Sequence, residues 1–218
     1  STDKEILNGI PTDCFQYTHE VPVNDVEALE AAIEKYEAEG GVGGFFMEPL
    51  GQDSGAVPTT KEYVKAAREI CDKHNMLLVF DEVVTGFRMG MGGAQGFFNV
   101  YPDITVFGKI IGGGFGCCGG IGGRKEIMNM LSAGVQWNGS TKVKVGGTVS
   151  ANPLTTLAGI TVINELEKEH VHEKLDKVTD YFMKGIADFS KAQTDPWIAL
   201  TGEIVADGDG YALLAASA

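Results

Sequence analysis

Three ionisable residues of this sequence, Glu48, Asp81 and Lys109, each follow a short apolar stretch. The stretches alternate with helical patterns, which predicts parallel strands, and ligands of open α/β sheets bind just beyond the carboxyl ends of such strands. Two carboxylates and one ammonium group would then share a crevice. The alternative is a buried ion pair or three unrelated solvated charges, and the spacing alone leaves both interpretations open.

The residue types at these strand ends suit one kind of covalent chemistry. A lysine that is shielded from water can lose its proton and attack a carbonyl group, which forms a Schiff base. If the carbonyl belongs to pyridoxal phosphate, a carboxylate beside the ring nitrogen keeps that nitrogen protonated, so that the ring can accept electrons. Lys109 and Asp81 form a coherent pair for this chemistry.

Glycine is concentrated around the lysine. The chain contains 30 Gly in 218 residues, and more than half of residues 108–123 are Gly, interleaved with Ile and Phe. A flexible linker would combine Gly with Ser, so this run predicts a close approach of the backbone to another group. The run also fits G-x-G-x-x-G formally, but no amphipathic helix follows it, which disfavours a dinucleotide site.

The elements that must position these residues can be read from the first half of the chain. Apolar strands are predicted at residues 42–47, 76–80 and 104–107, with one amphipathic helix capped by Asn24 and another opening at residues 58–60. Continuous apolar strands separated by helices are typical of a parallel sheet covered on both faces. The predicted fold class is therefore α/β, with a mostly parallel sheet and helices on both faces.

The second half of the chain is predicted to be helical before its pattern changes. Helices are expected at residues 124–131 and 150–170, and residues 203–214 indicate a hairpin or the start of another unit. His170 and His172 are interpreted as part of a solvated helix junction and not as a metal pair, since residues two apart do not share a helix face. The helix after residue 170 is expected to bury Leu175, Val178, Phe182, Ile186 and Phe189.

Composition and charge exclude several classes of protein. Lys and Arg total 17 against 30 Asp and Glu, a net charge of −13, and so acidic a chain would repel a nucleic-acid backbone. No apolar run approaches the roughly 20 residues of a membrane helix, and the first residues lack a signal-peptide pattern. The four cysteines form no C-x-x-C spacing, which predicts reduced thiols, no zinc site and a cytoplasmic protein.

Three segments resemble the motifs of a known family. Phe80–Arg88 reads FDEVVTGFR, Gly108–Gly114 reads GKIIGGG and Gly147–Leu154 reads GTVSANPL. These segments are similar, in order, to the class III pyridoxal-phosphate aminotransferases, and within them to the glutamate-1-semialdehyde 2,1-aminomutases. The likeness extends over residues 20–190 and implies the large domain of a fold type I enzyme.

The resemblance implies a role for five residues. Lys109 matches the lysine that forms the Schiff base with pyridoxal phosphate and moves a proton during the reaction. Asp81 matches the aspartate on the pyridine nitrogen, Val83 the aliphatic residue against one ring face, and Glu48 an acid at the edge of the site. Thr148 matches the threonine that reaches the cofactor phosphate of the neighbouring subunit, which implies a homodimer with shared sites.

The function implied is pyridoxal-phosphate-dependent transfer of an amino group, with a small amino acid, oxo acid or amine as substrate. The alternative within the class is an isomerase of the aminomutase type.

Family members are longer than this chain. Before the matching region they carry a phosphate-binding loop and an aromatic ring that stacks on the cofactor, and after it they carry a small domain. Residues 1–193 are thus expected to form the C-terminal portion of the large domain, and 194–218 a tail or the start of a small domain. The alternative of another class is a non-catalytic or split fragment that needs a second chain to supply the missing half.

Overall fold

Strands and helices alternate along the chain. The computed structural model describes residues 9–51, 57–116, 118–131, 143, 145–168, 170–192, 203–206 and 212–215. The α-helices in this part of the chain are α1 (Val26–Glu37), α2 (Lys61–Lys73), α3 (Gly93–Phe98), α4 (Lys125–Met128), α5 (Pro153–Leu166) and α6 (Val171–Ala192). The strands are β1 (Gly44–Met47), β2 (Leu77–Glu82), β3 (Ile104–Gly108), β4 (Gly119–Gly123), β5 (Glu203–Ala206) and β6 (Ala212–Ala215).

The first four strands form one sheet in the order β1-β2-β3-β4. β1, β2 and β3 are parallel, which confirms the predicted α/β class, and β4 runs antiparallel to β3. β4 was not predicted, because four of its five residues are glycine and glycine disfavours strands. Its backbone hydrogen bonds to β3 stabilise a strand conformation that its glycine-rich sequence does not favour.

Helices α1 and α2 begin at capping side chains and are joined by a third polar residue. Asp25, and not the predicted Asn24, caps α1, since its carboxylate accepts the amide hydrogen of Ala28 at 2.8 Å. Asn24 instead donates from its side-chain amide to the Pro58 carbonyl at 2.9 Å and accepts from the Thr60 amide at 2.8 Å. Thr60 is itself the cap of α2, so Asn24 fixes the start of one helix against the start of the other.

The core lies between the sheet and helices α1 and α2. Side chains of a strand alternate between its two faces, and in β2 the residues that face these helices, Leu78 and Phe80, are fully buried. The opposite face, with Leu77 and Val79, is only half-buried, and Phe46 of β1 on that face is 58% exposed. The other core members are Leu29, Ile33, Met47, Tyr63, Val64, Ala67, Ile70, Cys71, Met76 and Val100.

Helix α6 does not bury the apolar residues predicted to lie inside it. Val178 is 67% exposed and Phe182 is 63% exposed, and Leu175 and Phe189 are also exposed, while Ile186 is half-buried. Helical spacing identifies an apolar face but does not say what covers it. We call the exposed residues of this helix the α6 apolar face; they are Leu175, Val178, Tyr181, Phe182 and Phe189.

The end of the described chain contains the predicted hairpin, in which β5 pairs antiparallel with β6. The predicted boundary between residues 193 and 194 falls outside the described residues, so the division into 1–193 and 194–218 stays a prediction.

Among the described helices, none is both long enough and apolar enough to cross a bilayer. Cys71 is a free thiol in the core, and burial raises the pKa of that thiol to about 11, which keeps it protonated.

Candidate active site

The parallel register brings the three strand-end residues to one edge of the sheet. Met47 of β1 pairs with Phe80 of β2, so Glu48 follows directly beside Asp81. Asp81 pairs with Val106 of β3, and Lys109 comes immediately after the last residue of β3. Neighbouring strands lie about 4.8 Å apart, so the two carboxylates and the lysine lie along the carboxyl edge, as predicted.

Asp81 organises the chain that follows it. The Asp81 side chain is half-buried, and its Oδ1 accepts the amide hydrogen of Val83 at 2.9 Å. Val83 in turn packs on β3, because a Cβ atom at Gly108 would lie 3.1 Å from its nearest methyl carbon. A larger residue at position 108 would therefore push Val83 away. Asp81, Val83 and the residue before Lys109 form one contiguous group.

Lys109 opens a short 3-10 helix, Lys109–Gly112, which we call the lysine turn. Its φ angle of 49° lies in the left-handed region, which a residue with a side chain adopts only under constraint. The Lys109 side chain is exposed in the described chain. The physical reason is that this face of the sheet is only partly covered.

Glycine allows the lysine turn to touch helix α5 through its backbone. A Cβ atom at Gly113 would lie 2.6 Å from the carbonyl oxygen of Ala158, and one at Gly159 would lie 2.1 Å from the carbonyl oxygen of Ile111. The close approach predicted from the glycine-rich run is therefore confirmed, and the group approached is another part of this chain. Cys118 also faces the turn and donates from its thiol to Ile111, while Cys117 lies outside the described residues.

Glu82 is a site residue for which sequence reasoning proposed no role. Its carboxylate is 1% exposed and accepts hydrogen bonds from the Thr85 hydroxyl at 3.2 Å, the Ala94 amide at 2.6 Å and the Gln95 amide at 3.4 Å. It therefore anchors the start of α3 to the end of β2. The period of two along β2, which puts Glu82 on the same face as Phe80, is a signal that could have found it.

The remaining predicted residues occupy less enclosed positions. Glu48 is half-buried, and its carbonyl accepts the Gly51 amide hydrogen in a turn at the end of β1. A groove of about 700 Å³ lies beside this turn. Thr148 is exposed in a turn before α5. Its predicted role in a neighbouring subunit stays a prediction, as do the roles of the other four residues.

The histidine pair is only in part the solvated junction that was predicted. His170 is exposed and contacts Glu173 at 2.8 Å. His172 is half-buried, and its Nε2 atom lies 2.9 Å from the Phe87 carbonyl oxygen. Within the described part of the chain, no three His, Cys, Asp or Glu side chains are grouped closely enough to hold a metal ion.

Comparison with known proteins identifies the family of this chain. The family described as Aminotransferase class-III matches residues 6–202. The chain belongs to the class III aminotransferase family. Glutamate-1-semialdehyde 2,1-aminomutase from Desulforamulus reducens is 40% identical over 184 residues, which are 84% of this chain and 40% of that enzyme. The resemblance drawn from the motifs is thereby confirmed.

Solved structures of transaminases share the fold of this class III chain. An omega-transaminase from Sphaerobacter thermophilus superposes with a TM-score of 0.73 at 29% identity, over 86% of this chain and 40% of that one. A transaminase with bound pyridoxal phosphate superposes with a TM-score of 0.66 at 26% identity, over 78% of this chain and 39% of that one. The chain thus spans about 40% of the length of the relatives that it matches.

Proposed function

We propose that this chain carries the lysine-bearing part of a pyridoxal-phosphate-dependent enzyme that transfers amino groups. The observation that best supports the proposal is that Lys109 and Asp81 lie at the carboxyl ends of adjacent parallel strands, with Val83 against Gly108. A lysine amine and a carboxylate are the two groups that this cofactor requires near its aldehyde and its ring nitrogen. The residues present therefore fit the cofactor.

Each residue would contribute one function to the bound cofactor. When bound, pyridoxal phosphate supplies an aldehyde that bonds to a lysine amine and a protonated ring that withdraws electrons from the substrate. Asp81 already accepts the Val83 amide hydrogen through Oδ1, and we assign its second oxygen to the proton of the ring nitrogen. Val83 would contact one face of the ring, and Glu48 would line the edge of the site.

Lys109 must be neutral before its amine can act as a nucleophile or accept a proton. Removal from water favours the neutral amine, yet the Lys109 side chain is exposed in this chain. We therefore propose that another polypeptide covers the site. The first form of this proposal is a homodimer in which Thr148 of one subunit reaches the cofactor phosphate of the other. The second form is a further chain that supplies the part of the enzyme absent from these 218 residues.

The substrates proposed are small amino acids, oxo acids or amines, with a cytoplasmic location. Amino-group transfer between two molecules is the first candidate reaction. Isomerisation of the aminomutase type is the second candidate, and the identity of 40% with a glutamate-1-semialdehyde 2,1-aminomutase favours it. A non-catalytic fragment is the third, because the chain spans about 40% of that enzyme.

The cofactor proposal is tested by covalent trapping on the purified chain. The chain is incubated with pyridoxal phosphate and reduced with borohydride, and the modified lysine is located by peptide mass spectrometry. The test compares Lys109→Ala with Lys125→Ala, which removes an exposed lysine at the start of α4. We expect one dominant labelled site at Lys109, which is lost in the first variant and retained in the second.

Labelling spread evenly over the exposed lysines would contradict the proposal. Circular dichroism of each variant separates loss of the site from loss of the fold. Addition of an amino acid or amine before the reduction should then release Lys109 from the label, and the class of amine that does so identifies the donor.

A further inference from the structure

The loop that follows Asp81 is held at both of its ends by carboxylates. We call residues 83–92, which join β2 to α3, the Asp81 loop. At its start the Val83 amide donates to Asp81 at 2.9 Å, and just beyond its end the Ala94 amide donates to Glu82 at 2.6 Å. Within the loop the Gly86 amide donates to the Glu82 carbonyl at 2.9 Å. The position of Val83 beside Lys109 therefore depends on how this loop is held.

The tip of the loop is Phe87, whose backbone is in an unfavourable conformation. Its φ angle is 62°, in the left-handed region, where a bulky residue persists only if its surroundings hold it. The Phe87 ring contacts the Phe107 ring, with 5.9 Å between the centroids. Phe107 lies two residues before Lys109, so the tip of the loop packs directly against the end of β3.

A histidine from a distant helix binds the same tip. His172, in the first turn of α6, has its Nε2 atom 2.9 Å from the Phe87 carbonyl oxygen, across 85 residues of sequence. A carbonyl oxygen only accepts hydrogen bonds, so Nε2 carries the hydrogen and donates it. The same helix follows α5, which contacts the lysine turn. Helix α6 thus contacts the loop after Asp81, and helix α5 contacts the turn that starts at Lys109.

We propose that His172 is a positioning residue of the candidate site. Its Nε2–H holds the Phe87 carbonyl, which fixes the tip of the Asp81 loop and keeps Val83 packed against Gly108 beside Lys109. The relevance of this contact to a bound cofactor rests on the proposed function, but the contact and its effect on the loop do not. His172 acts through the loop and touches neither Asp81 nor Lys109 in this arrangement.

The test is amide hydrogen exchange of the cofactor-free chain, followed by mass spectrometry or NMR. The variants are His172→Leu, which removes the donor, His172→Gln, which retains an N–H donor at similar reach, and Lys174→Leu, which alters an exposed residue of the same helix turn. The amides of Gly86 and Arg88 report the loop, since the first is bonded to the Glu82 carbonyl just before the loop and the second to the Thr85 carbonyl within it. The Val64 amide of α2, which is bonded to the carbonyl of the cap residue Thr60, reports the remainder of the fold.

We expect the Gly86 and Arg88 amides to exchange about two- to tenfold faster in His172→Leu, the effect of losing one hydrogen bond. The Val64 amide should be unchanged, and His172→Gln and Lys174→Leu should resemble the wild type. Wild-type exchange of the loop in His172→Leu would overturn the proposal. An equal acceleration at Val64, or a glutamine variant that behaves like leucine, would also overturn it.

A second measurement separates this inference from the function on which its meaning rests. The apparent affinity for pyridoxal phosphate, read from the trapped Lys109 label, should fall in His172→Leu by the same factor as the loop exchange rises and should recover in His172→Gln. If the wild type takes no label, the proposed function fails while the exchange result still decides the role of His172. If label and loop exchange change independently, His172 holds the loop without positioning the site, and the proposal is wrong.

Discussion

At the scale of single residues, the Asp103 carboxylate accepts three hydrogen bonds at the end of the sheet opposite the lysine. It accepts the Leu78 amide at 2.8 Å, Arg68 at 2.8 Å and Arg124 at 3.0 Å. Burial of Asp103 opposes its ionisation, but these three donors outweigh burial and hold the pKa of the carboxyl below its usual value. Asp103 thereby joins α2, the start of β2 and the end of β4.

Replacement of this carboxylate should lower the stability of the chain. Asp103→Asn leaves Arg68 with an amide in place of a buried charge partner, and we expect the free energy of unfolding to fall by about 2–4 kcal/mol. The matched control is Asp72→Asn, which removes the exposed second partner of the same Arg68 and should cost less than about 1 kcal/mol. Urea unfolding measures both, and equal losses would contradict this account.

The lowered pKa of Asp103 should make the stability of the fold depend on pH in the acid range. A carboxyl whose pKa is lowered by folding stabilises the folded state above its unfolded pKa, and this stabilisation disappears as the pH falls through the lower, folded value. The difference in unfolding free energy between the wild type and Asp103→Asn should therefore be constant near neutral pH and shrink below about pH 4. Urea titrations from pH 7 to pH 3 test this, and a difference that does not shrink would exclude Asp103 as the source.

At the scale of elements, the site depends on the contact between helix α5 and the lysine turn. The helix has Pro153 in its first turn and Asn152 as its cap, whose side chain accepts the amides of Leu154 and Thr155. What places this helix against Lys109–Gly112 is the absence of side-chain atoms at Gly113 and Gly159. Local propensity makes the helix, and two glycines determine where it lies.

A pair of glycine substitutions separates packing from helix propensity. Gly159→Ala would put a Cβ atom 2.1 Å from the Ile111 carbonyl oxygen, so we expect a loss of about 1–3 kcal/mol from overpacking and weaker trapping of Lys109. Gly185→Ala lies within α6 with no atom within 4 Å of the new Cβ and should stabilise the chain by up to about 1 kcal/mol. Thermal unfolding of both variants checks the signs, and stabilisation by Gly159→Ala would refute the contact.

At the scale of the whole molecule, large apolar surfaces remain exposed on the side of the last two helices. The α6 apolar face is exposed, and so are Leu154 and Leu157 of α5. Extended apolar surfaces of this kind mark interaction sites. They are consistent with a chain that spans about 40% of the length of its relatives and with the proposal that another polypeptide covers the exposed Lys109 side chain.

We therefore expect the chain to self-associate through this surface. The double variant Val178→Lys with Phe182→Lys puts two charges on one side of α6, since residues four apart share a helix face. Its self-association should be at least about tenfold weaker than that of the wild type. Glu62→Lys, which changes an exposed residue at the start of α2, is the control. Sedimentation velocity over a range of concentrations gives the answer, and unchanged association of the double variant would place the interface elsewhere.

The sequence by itself determined the family, the α/β class and the residues at the strand ends. The family follows from the resemblance of three motifs, whereas the α/β class and the strand-end residues follow from residue type and from periods of two and 3.6, which are local properties of the chain. The positions of Glu48, Asp81 and Lys109 along one edge follow from parallel register once the strands are known. For this reason the motif-based expectations agree with the folded chain where they concern the sheet.

The tertiary structure alone decided which groups meet across long sequence distances. The burial of Glu82, the pairing of β4 with β3 and the contact from His172 to Phe87 each join segments that no local pattern relates. Exposure of Lys109 and of the α6 apolar face was likewise decided at this level, because an amphipathic pattern defines a surface without supplying its partner. Individual residues thus determine the chemistry of the site, whereas its enclosure depends on contacts that only folding and assembly provide.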